Sequence, residues 1–222
     1  MAAKRKIEEW GPEQGKRLAA ARNKEDLTQK QLADLAEISR PYLSNLERGV
    51  DVPSVGTLQS LCAQLHVTDD SVLFGIASND PTPVTAAAAQ PPLATTATTV
   101  VRKEGQRVID LEHGVRWGFN AGAPGHAGMP RASSKDIVYE PGGASTRTGY
   151  MRHPGWELGR VISGTLDVLL EREQGTETHV LNAGDSISYD SSTPHRLVNR
   201  GDETVTALWI EIEYADHQPT PP

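Results

Sequence analysis

The side chains of this sequence that are best suited to chemistry are its seven histidines and its single cysteine. Imidazole binds transition metals and exchanges protons near neutral pH, and a carboxylate can complete such a metal site. His153 is closely followed by Glu157, and His195 follows Pro194. The other histidines have no comparable neighbours, and we expect ordinary surface side chains there: His66, His113, His126, His179 and His217.

The cysteine content and the hydropathy pattern indicate the compartment. Cys62 is the only cysteine, so no disulfide can form within the chain, and we expect a reducing cytoplasm and a buried, unreactive thiol. No run of about 18 apolar residues could span a membrane, and no apolar segment follows the basic N-terminus as in a signal peptide. We therefore expect no membrane partner.

Charge is unevenly distributed along the chain. The net charge is −7, yet the first 50 residues hold about ten lysines and arginines against about eight acidic residues. The acidic excess lies mostly in the second half. A weakly basic first half can bind DNA if its charges share one face, so DNA binding has to be argued from motifs.

Residues 79–99 are dominated by alanine, threonine and proline. Such a segment has too few large apolar side chains to offset the entropy of ordering, and it is typical of a flexible linker. We therefore predict two domains, residues 1–78 and 101–222, joined by a linker at residues 79–100.

The region before the linker has a helical pattern. Thr28 and Gln31 form a capping box, Ser39 is a suitable N-cap for a second helix with Pro41 in its first turn, and Gly49 ends that helix. Leucine and alanine recur at three- and four-residue spacing, as on the buried face of a helix: Leu32, Leu35, Ala36, Leu43, Leu46, Leu58, Leu61 and Leu65.

The stretch from Thr28 to Gly49 resembles the helix-turn-helix of the phage-repressor-like (XRE) family of transcriptional regulators. The resemblance covers about residues 12–75 and implies a five-helix DNA-binding domain. Glu37 departs from the family pattern, because glycine usually occupies this turn. A side chain with positive φ there would cost about 1 kcal/mol, which is tolerable.

The resemblance also implies which side chains contact DNA. Gln29 would contact the backbone, Arg40 would pair with guanine, and Asn45 would pair with adenine. Arg48 would meet a phosphate. The full predicted set is Gln29, Ser39, Arg40, Pro41, Tyr42, Ser44, Asn45 and Arg48. The alternative is that these are polar surface residues of a helical bundle without a DNA contact.

After the linker, short β-rich runs alternate with glycine-containing turns. The predicted strands are residues 137–140, 157–162, 165–170, 179–181, 186–189, 195–198 and 204–214. Many short strands at this spacing indicate an antiparallel sandwich or barrel.

Two stretches in this region, Gly149–Gly164 and Gly184–Asn199, resemble the two sequence motifs of the cupin family. Together with Pro141-Gly-Gly, the similarity covers about residues 108–214. It implies a C-terminal all-β cupin domain, a jelly-roll barrel, after the helical bundle. The predicted fold is therefore an α + β multidomain protein.

The cupin resemblance implies a metal site. The family usually binds a metal through two histidines and a glutamate of the first motif and one histidine of the second. Here these positions hold Met151, His153, Glu157 and His195. The remaining His153, Glu157 and His195 would suit one divalent zinc, iron or nickel ion. The alternative is a barrel without metal, in which His195 is a structural hydrogen-bonding residue and Glu157 pairs with an arginine: Arg147, Arg152 or Arg160.

A barrel interior can also hold one small molecule. The predicted lining residues are Tyr139, Arg147, Met151, Trp156, Arg160, Tyr189 and Trp209. Arginine in an apolar barrel would favour an anionic effector.

These features lead to two hypotheses from different classes. The first is a regulator without enzymatic activity, similar to bacterial regulators with a cupin after the helix-turn-helix, that binds a palindromic operator as a homodimer. The second is a mononuclear-iron oxygenase, because the same architecture resembles the iron-dependent epoxidase that makes a phosphonate antibiotic.

Overall fold

The structure, a computed structural model, describes residues 7–75, 100–123 and 130–213 of the chain. Its helical part comprises five α-helices: α1 (Pro12–Lys24), α2 (Gln29–Leu35), α3 (Arg40–Arg48), α4 (Val55–Gln64) and α5 (Asp69–Phe74). The predicted five-helix bundle is thus confirmed.

Local signals set the ends of the central helices. The Thr28 hydroxyl accepts a hydrogen bond from the amide of Gln31, and the Gln31 side chain accepts one from the amide of Thr28. Ser39 caps α3, and Gly49 ends it in the left-handed conformation. Glu37 has φ +55, the strained geometry predicted for this turn. Both predicted helices therefore begin where the caps indicate.

The β-part contains ten strands: β1 (Ile7–Glu9), β2 (Arg107–Leu111), β3 (Val115–Phe119), β4 (Arg131–Tyr139), β5 (Trp156–Ser163), β6 (Thr165–Arg172), β7 (Gly175–Asn182), β8 (Ser186–Asp190), β9 (His195–Val198) and β10 (Val205–Glu213). They form a seven-stranded sheet, β1-β2-β3-β4-β10-β5-β8, and a three-stranded sheet, β7-β6-β9. Side chains from both sheets belong to one buried cluster, so the sheets enclose a common interior, called the barrel below.

Three strands were absent from the sequence prediction. Strands β2 and β3 form a hairpin that brings Trp117 into the core. Strand β1, from the predicted N-terminal domain, pairs in parallel with β2. A three-residue strand carries no periodic signal of its own, because its pairing is set by the partner strand.

The helical and β-parts are packed against each other. The amide of Gly56 donates to the carbonyl of Ser145 (3.0 Å), and the rings of Phe74 and Phe119 meet edge to face at 4.9 Å. Buried apolar residues of both parts belong to one cluster. The predicted linker lies outside the described residues except for Val100, as do His126, His217 and residue 214 of the last predicted strand.

A buried ion cluster also joins the two parts. Lys135 of β4 contacts Asp69 of α5 at 2.7 Å and Glu211 of β10 at 2.5 Å. Arg131 contacts Asp70 at 3.0 Å and also Glu213. The interdomain ion cluster is defined as Asp69, Asp70, Arg131, Lys135, Glu211 and Glu213. Among the described residues, no helix is long and apolar enough to cross a membrane.

Candidate metal centre and nucleic-acid interface

Three elements bring the predicted metal ligands together inside the barrel. His153 lies in the segment before β5, Glu157 lies on β5, and His195 begins β9. Buried and exposed residues alternate from Met151 to Val161, so His153 and Glu157 both point inward. A bridge between Met151 and His195 places the two segments side by side.

The three side chains are close enough to share one ion. Nε2 of His153 lies 2.7 Å from Oε1 of Glu157, and Nε2 of His195 lies 3.4 Å from the same oxygen. One ligand atom from each residue lies within 4.8 Å of the others. All three residues are buried. The sequence-predicted ligands are therefore assembled in one place.

The His195 ring shows why a cation fits this site. Its Nδ1 donates a hydrogen bond to the carbonyl oxygen of Thr193 at 2.8 Å, which fixes the ring with Nε2 directed at the metal centre. That Nε2 is buried without a hydrogen bond and faces the Glu157 oxygen. A proton or a metal ion between this nitrogen and the carboxylate would satisfy both atoms. His153, Glu157 and His195 could therefore hold zinc, iron or nickel.

The Glu157 carboxylate is oriented by two further side chains. The Tyr189 hydroxyl donates a short hydrogen bond to Oε2 of Glu157, and Nε1 of Trp209 donates to the same oxygen at 2.7 Å. The Trp209 ring packs against Gly159, where a Cβ would lie 2.1 Å from it. Since both donors occupy Oε2, only Oε1 is available to an ion. Such outer contacts fix a ligand and tune its basicity.

The pKa values of the site reflect burial and the Glu157 charge. Burial alone would lower the pKa of His153, but the hydrogen bond and charge of Glu157 raise it to about 9. Burial alone would raise the pKa of Glu157, but the two histidines hold it well below its usual range. Burial and the Glu157 charge raise the pKa of Tyr189, which stays a hydrogen-bond donor. Glu157 is therefore an ionised carboxylate that can serve as a metal ligand.

Met151, at the family's first histidine position, is buried beside the site. It also faces the helical part, because a Cβ added to Gly56 of α4 would lie 3.2 Å from the Cβ of Met151. Met151, next to the metal centre, is thus within contact distance of helix α4 of the helical part.

The predicted ligand-lining set divides into two groups. Met151, Tyr139, Tyr189 and Trp209 are buried, and a ligand contact there stays a prediction. Three others are exposed, and their prediction as lining residues was wrong: Arg147, Trp156 and Arg160. On β5 the two-residue period that turns Glu157 inward turns Trp156 and Arg160 outward. The Arg147 side chain is 77% exposed and lies 3.6 Å from Glu112.

This placement removes the alternative pairing of Glu157 with an arginine. Its partners are His153, Tyr189 and Trp209. The argument for an anionic effector inside the barrel also loses its basis, because neither Arg147 nor Arg160 faces the interior.

Helix α3 has one buried and one exposed face. Leu43, Leu46 and Glu47 point into the helical part. The exposed or half-buried positions are Ser39, Arg40, Pro41, Tyr42, Ser44, Asn45 and Arg48. This face therefore presents polar groups to the outside, although the Tyr42 hydroxyl donates to the carbonyl of Val52 (3.4 Å).

Several of the predicted DNA-contacting side chains have partners within the chain. The Gln29 amide donates to Oε2 of Glu47 at 2.8 Å. The Asn45 amide donates to Asp51 at 2.8 Å and accepts from Arg48. To bind a phosphate or adenine, Gln29 and Asn45 would have to exchange these hydrogen bonds. Their contacts with DNA stay predictions.

A buried ion pair that was not predicted fixes α1 against α3. Arg22 binds Glu47 through Nε at 2.6 Å and Nη2 at 3.1 Å. The sequence does contain a signal for it: Glu47 stands next to Leu46 on the apolar face of α3, where a charge needs a partner. The interdomain ion cluster was also missed, because its members lie on elements far apart in the sequence.

Comparisons with known proteins agree with this architecture. A helix-turn-helix family model matches residues 18–72, and a cupin domain model matches residues 136–211. A curated relative, the HTH-type transcriptional regulator DdrOP3 of Deinococcus deserti, is 45% identical over 60 residues. That match covers 27% of this chain and 46% of the relative, so it concerns the helical part alone.

Solved structures resemble the chain over its whole length. The crystal structure of an HTH_3 family transcriptional regulator from Vibrio cholerae has a TM-score of 0.62 at 19% identity, with 92% of this chain and 97% of that chain covered. Hydroxypropylphosphonic acid epoxidase from S. wedmorenis has a TM-score of only 0.41 at 11% identity, with 90% of this chain and 97% of that chain covered. This similarity is too low to indicate a shared function. The chain combines a helix-turn-helix domain of the phage-repressor-like (XRE) family with a C-terminal cupin domain.

Proposed function

We propose that this chain is a sequence-specific DNA-binding transcriptional regulator that inserts α3 into the major groove. The observation that carries the proposal is the polar, exposed face of α3 on a helix whose opposite face is buried. Residues 1–78 would bind DNA, and residues 101–222 would sense an effector. The regulator relatives support this assignment.

Specific contacts can be assigned from the geometry of major-groove recognition. Arg40, in the first turn of α3, would bind guanine through its two-pronged guanidinium group. Asn45 would bind adenine after releasing Asp51. Arg48 and Gln29 would contact phosphates, which position the helix but carry no sequence information.

A palindromic operator requires two recognition helices, and we propose a homodimer. The outward face of β5 supports it: Trp156, Leu158 and Ile162 are 45%, 39% and 55% exposed. Exposed apolar side chains that share one face, here with Arg160 among them, typically mark an interaction site. A second copy of the chain, covering β5 with its own β5, would bury these side chains and satisfy two-fold symmetry.

The cupin domain would hold one divalent zinc, iron or nickel ion at His153, Glu157 and His195 and respond to a small molecule. When bound, the metal would supply a Lewis acid for an oxygen ligand. Tyr189 and Trp209 keep Glu157 oriented, and the buried rings around it exclude water. The effector must bind the DNA-competent and DNA-incompetent states with different affinity.

The test is selection of bound fragments from a random duplex library by the purified full-length protein, followed by gel-shift titration. We expect a palindrome. Arg40→Ala should weaken binding to it by about tenfold or more, because a bidentate base contact contributes about 1–3 kcal/mol of discrimination. Arg48→Ala should weaken binding to all duplexes alike.

Arg102→Ala serves as the matched control, since this exposed arginine lies outside the helical part. It should leave operator affinity unchanged. Recovery of no preferred sequence at low salt, or equal effects of Arg40→Ala and Arg102→Ala, would contradict the regulator. Sedimentation of Leu158→Arg should give monomers where the unaltered chain gives dimers.

A mononuclear-iron oxygenase is the second candidate, favoured by the two histidines and one carboxylate of the metal centre. Against it, three bulky side chains are buried in the same interior as Glu157: Tyr139, Tyr189 and Trp209. His153→Ala separates the two. Operator binding that survives this change supports the regulator, whereas iron-dependent turnover without DNA affinity supports the enzyme.

A further inference from the structure

A crevice of about 720 Å³ lies between the helical part and the barrel. One wall is formed by the end of α2, the start of α3 and helix α4. The other wall is the segment 146–152, which leads to the metal ligand His153. Its volume is within the range of small-molecule sites in proteins. The crevice therefore separates the two parts beside the metal centre.

The floor of the crevice is rigid. The Gly56 amide donates to the Ser145 carbonyl at 3.0 Å, and Gly56 allows close packing against Thr146 and Met151. A Cβ at Gly56 would lie 2.4 Å from the Thr146 side chain. A ligand above this contact would touch both parts of the protein at once.

The barrel wall of the crevice carries two exposed guanidinium groups. Arg147 is 77% exposed and has only a 3.6 Å contact with Glu112. Arg152 is exposed and makes no hydrogen bond or ion pair with another described residue. Glu112 itself is shared with His113 at 3.3 Å. Two exposed guanidinium groups on one wall, of which only Arg147 has an ion pair, a long one with Glu112, favour a carboxylate, which accepts paired hydrogen bonds from arginine.

The opposite wall carries an apolar stretch at the end of α2 and the start of α3, beside the polar side chains of Ser54, Thr57, Ser60 and Gln64. Leu35 is 49% exposed, and Ile38 and Tyr42 are half-buried at the same surface. Glu37, on the turn between α2 and α3, also lines this wall and would disfavour a second negative charge there. An acid with one anionic end and an apolar body therefore matches the crevice better than a dianion.

We propose that the crevice binds a small organic monocarboxylate, with its carboxylate on Arg147 and Arg152 and its apolar body against Ile38 and Tyr42. Because the crevice touches both α3 and the segment before His153, it is also where the effector of the proposed regulator acts. The role as effector site rests on the proposed function, whereas the binding of the acid to the crevice does not.

The location gives the ligand a means of control. Tyr42 belongs to α3, and Arg152 immediately precedes the metal ligand His153. A bound acid would bridge the DNA-reading helix and the barrel segment, so any change in their spacing alters its contacts. Such a differential contact is what a ligand needs to shift a population.

The test is calorimetric titration of the full-length protein with octanoate and with phenylacetate. At least one should bind saturably with one site per chain. The double variant Arg147→Gln, Arg152→Gln should weaken that binding at least tenfold. Arg160→Gln is the matched control, because this exposed arginine lies on β5 among exposed apolar side chains and should leave binding unchanged.

Two probes with the chain length of octanoate complete the design. 1-Octanol is uncharged, and octylamine is positively charged. Both should bind at least tenfold more weakly than octanoate. Binding of neither acid, equal binding of 1-octanol or octylamine, or equal losses in Arg160→Gln and the double variant would overturn the proposal. Operator affinity is measured separately, so saturable acid binding without DNA binding would refute the regulator and leave the acid site standing.

Discussion

Glu157 and Glu211 lie directly opposite each other on the antiparallel strands β5 and β10, and both side chains are buried. Glu157 belongs to the metal centre. Glu211 accepts hydrogen bonds from Lys135 and from Gln59 of α4 (3.1 Å). Directly opposed residues on such strands share one face of the sheet. The metal centre and the contact with the helical part are therefore one strand apart.

Metal binding should stabilise the folded protein. A divalent ion held by His153, Glu157 and His195 would form bonds that only the folded protein can provide, because only folding brings the three side chains together. At a free metal concentration of 100 times Kd, the gain is about 2.7 kcal/mol. Differential scanning fluorimetry with zinc, ferrous iron and nickel measures it. His195→Ala should remove the shift, and exposed His179→Ala should retain it; equal shifts in both would place the metal elsewhere.

Removing the donors to Glu157 should weaken metal binding without removing a ligand. Tyr189→Phe and Trp209→Phe each leave Oε2 of Glu157 with one hydrogen bond fewer. We expect a loss of about tenfold in metal affinity for each, as outer contacts of metal ligands typically contribute 10- to 100-fold. Competition with a chelator of known affinity measures the loss. Tyr150→Phe is the control, because its hydroxyl contacts Thr176 on the surface. Unaltered metal affinity in Tyr189→Phe and Trp209→Phe would argue against the role of these side chains in orienting Glu157.

Local features of the fold could be predicted from the sequence, because their causes are local. The ends of α2 and α3 follow from Thr28, Ser39 and Gly49, and seven of the strands follow from β-rich runs between turns. The outward position of Trp156 could also have been derived, since a strand that turns Glu157 inward must turn its neighbour outward.

The remaining features depend on how distant elements meet. Nothing near Lys135 in the sequence indicates Asp69, because their contact exists only once α5 packs against β4. The crevice at Arg147 and Arg152 likewise exists only between the two parts. The sequence predicted an anionic effector inside the barrel, whereas Arg147 and Arg152 line this crevice outside it, where binding of an acid is a proposal.

Lys135→Met should strongly destabilise the protein. Lys135 is buried, contacts Asp69 and Glu211, and lies 4.4 Å above the Trp117 ring. Its loss leaves two buried carboxylates without a cation, which typically costs about 3–5 kcal/mol. Urea unfolding measures the free energy. Lys16→Met removes an exposed ion pair with Glu13 and should cost well under about 1 kcal/mol; similar losses in both variants would contradict the role of the cluster.

The pH dependence of stability should contain a contribution from Asp70. Burial and the nearby Asp69 raise the pKa of Asp70 to about 6, although Lys135 and Arg131 partly oppose this. The folded protein therefore holds the Asp70 proton more tightly than the unfolded chain does. Stability from this group is present at low pH and falls as the pH rises through about 4 to 6.

Asp70→Asn should consequently be more stable than the unaltered protein at pH 7.5. We expect the free energy of unfolding to rise by about 1 kcal/mol. The raised pKa of Asp70 alone would give more, at about 1.4 kcal/mol for each pH unit. The gain is smaller because the variant also loses the charge pair with Arg131. Melting temperatures measured from pH 7.5 to pH 4 should converge as Asp70 becomes protonated in both states. Asp34→Asn, at an exposed pair with Lys30, controls for a general charge effect. A variant that is less stable at pH 7.5, or a difference that does not change with pH, would show that Arg131 and Lys135 outweigh the burial of Asp70.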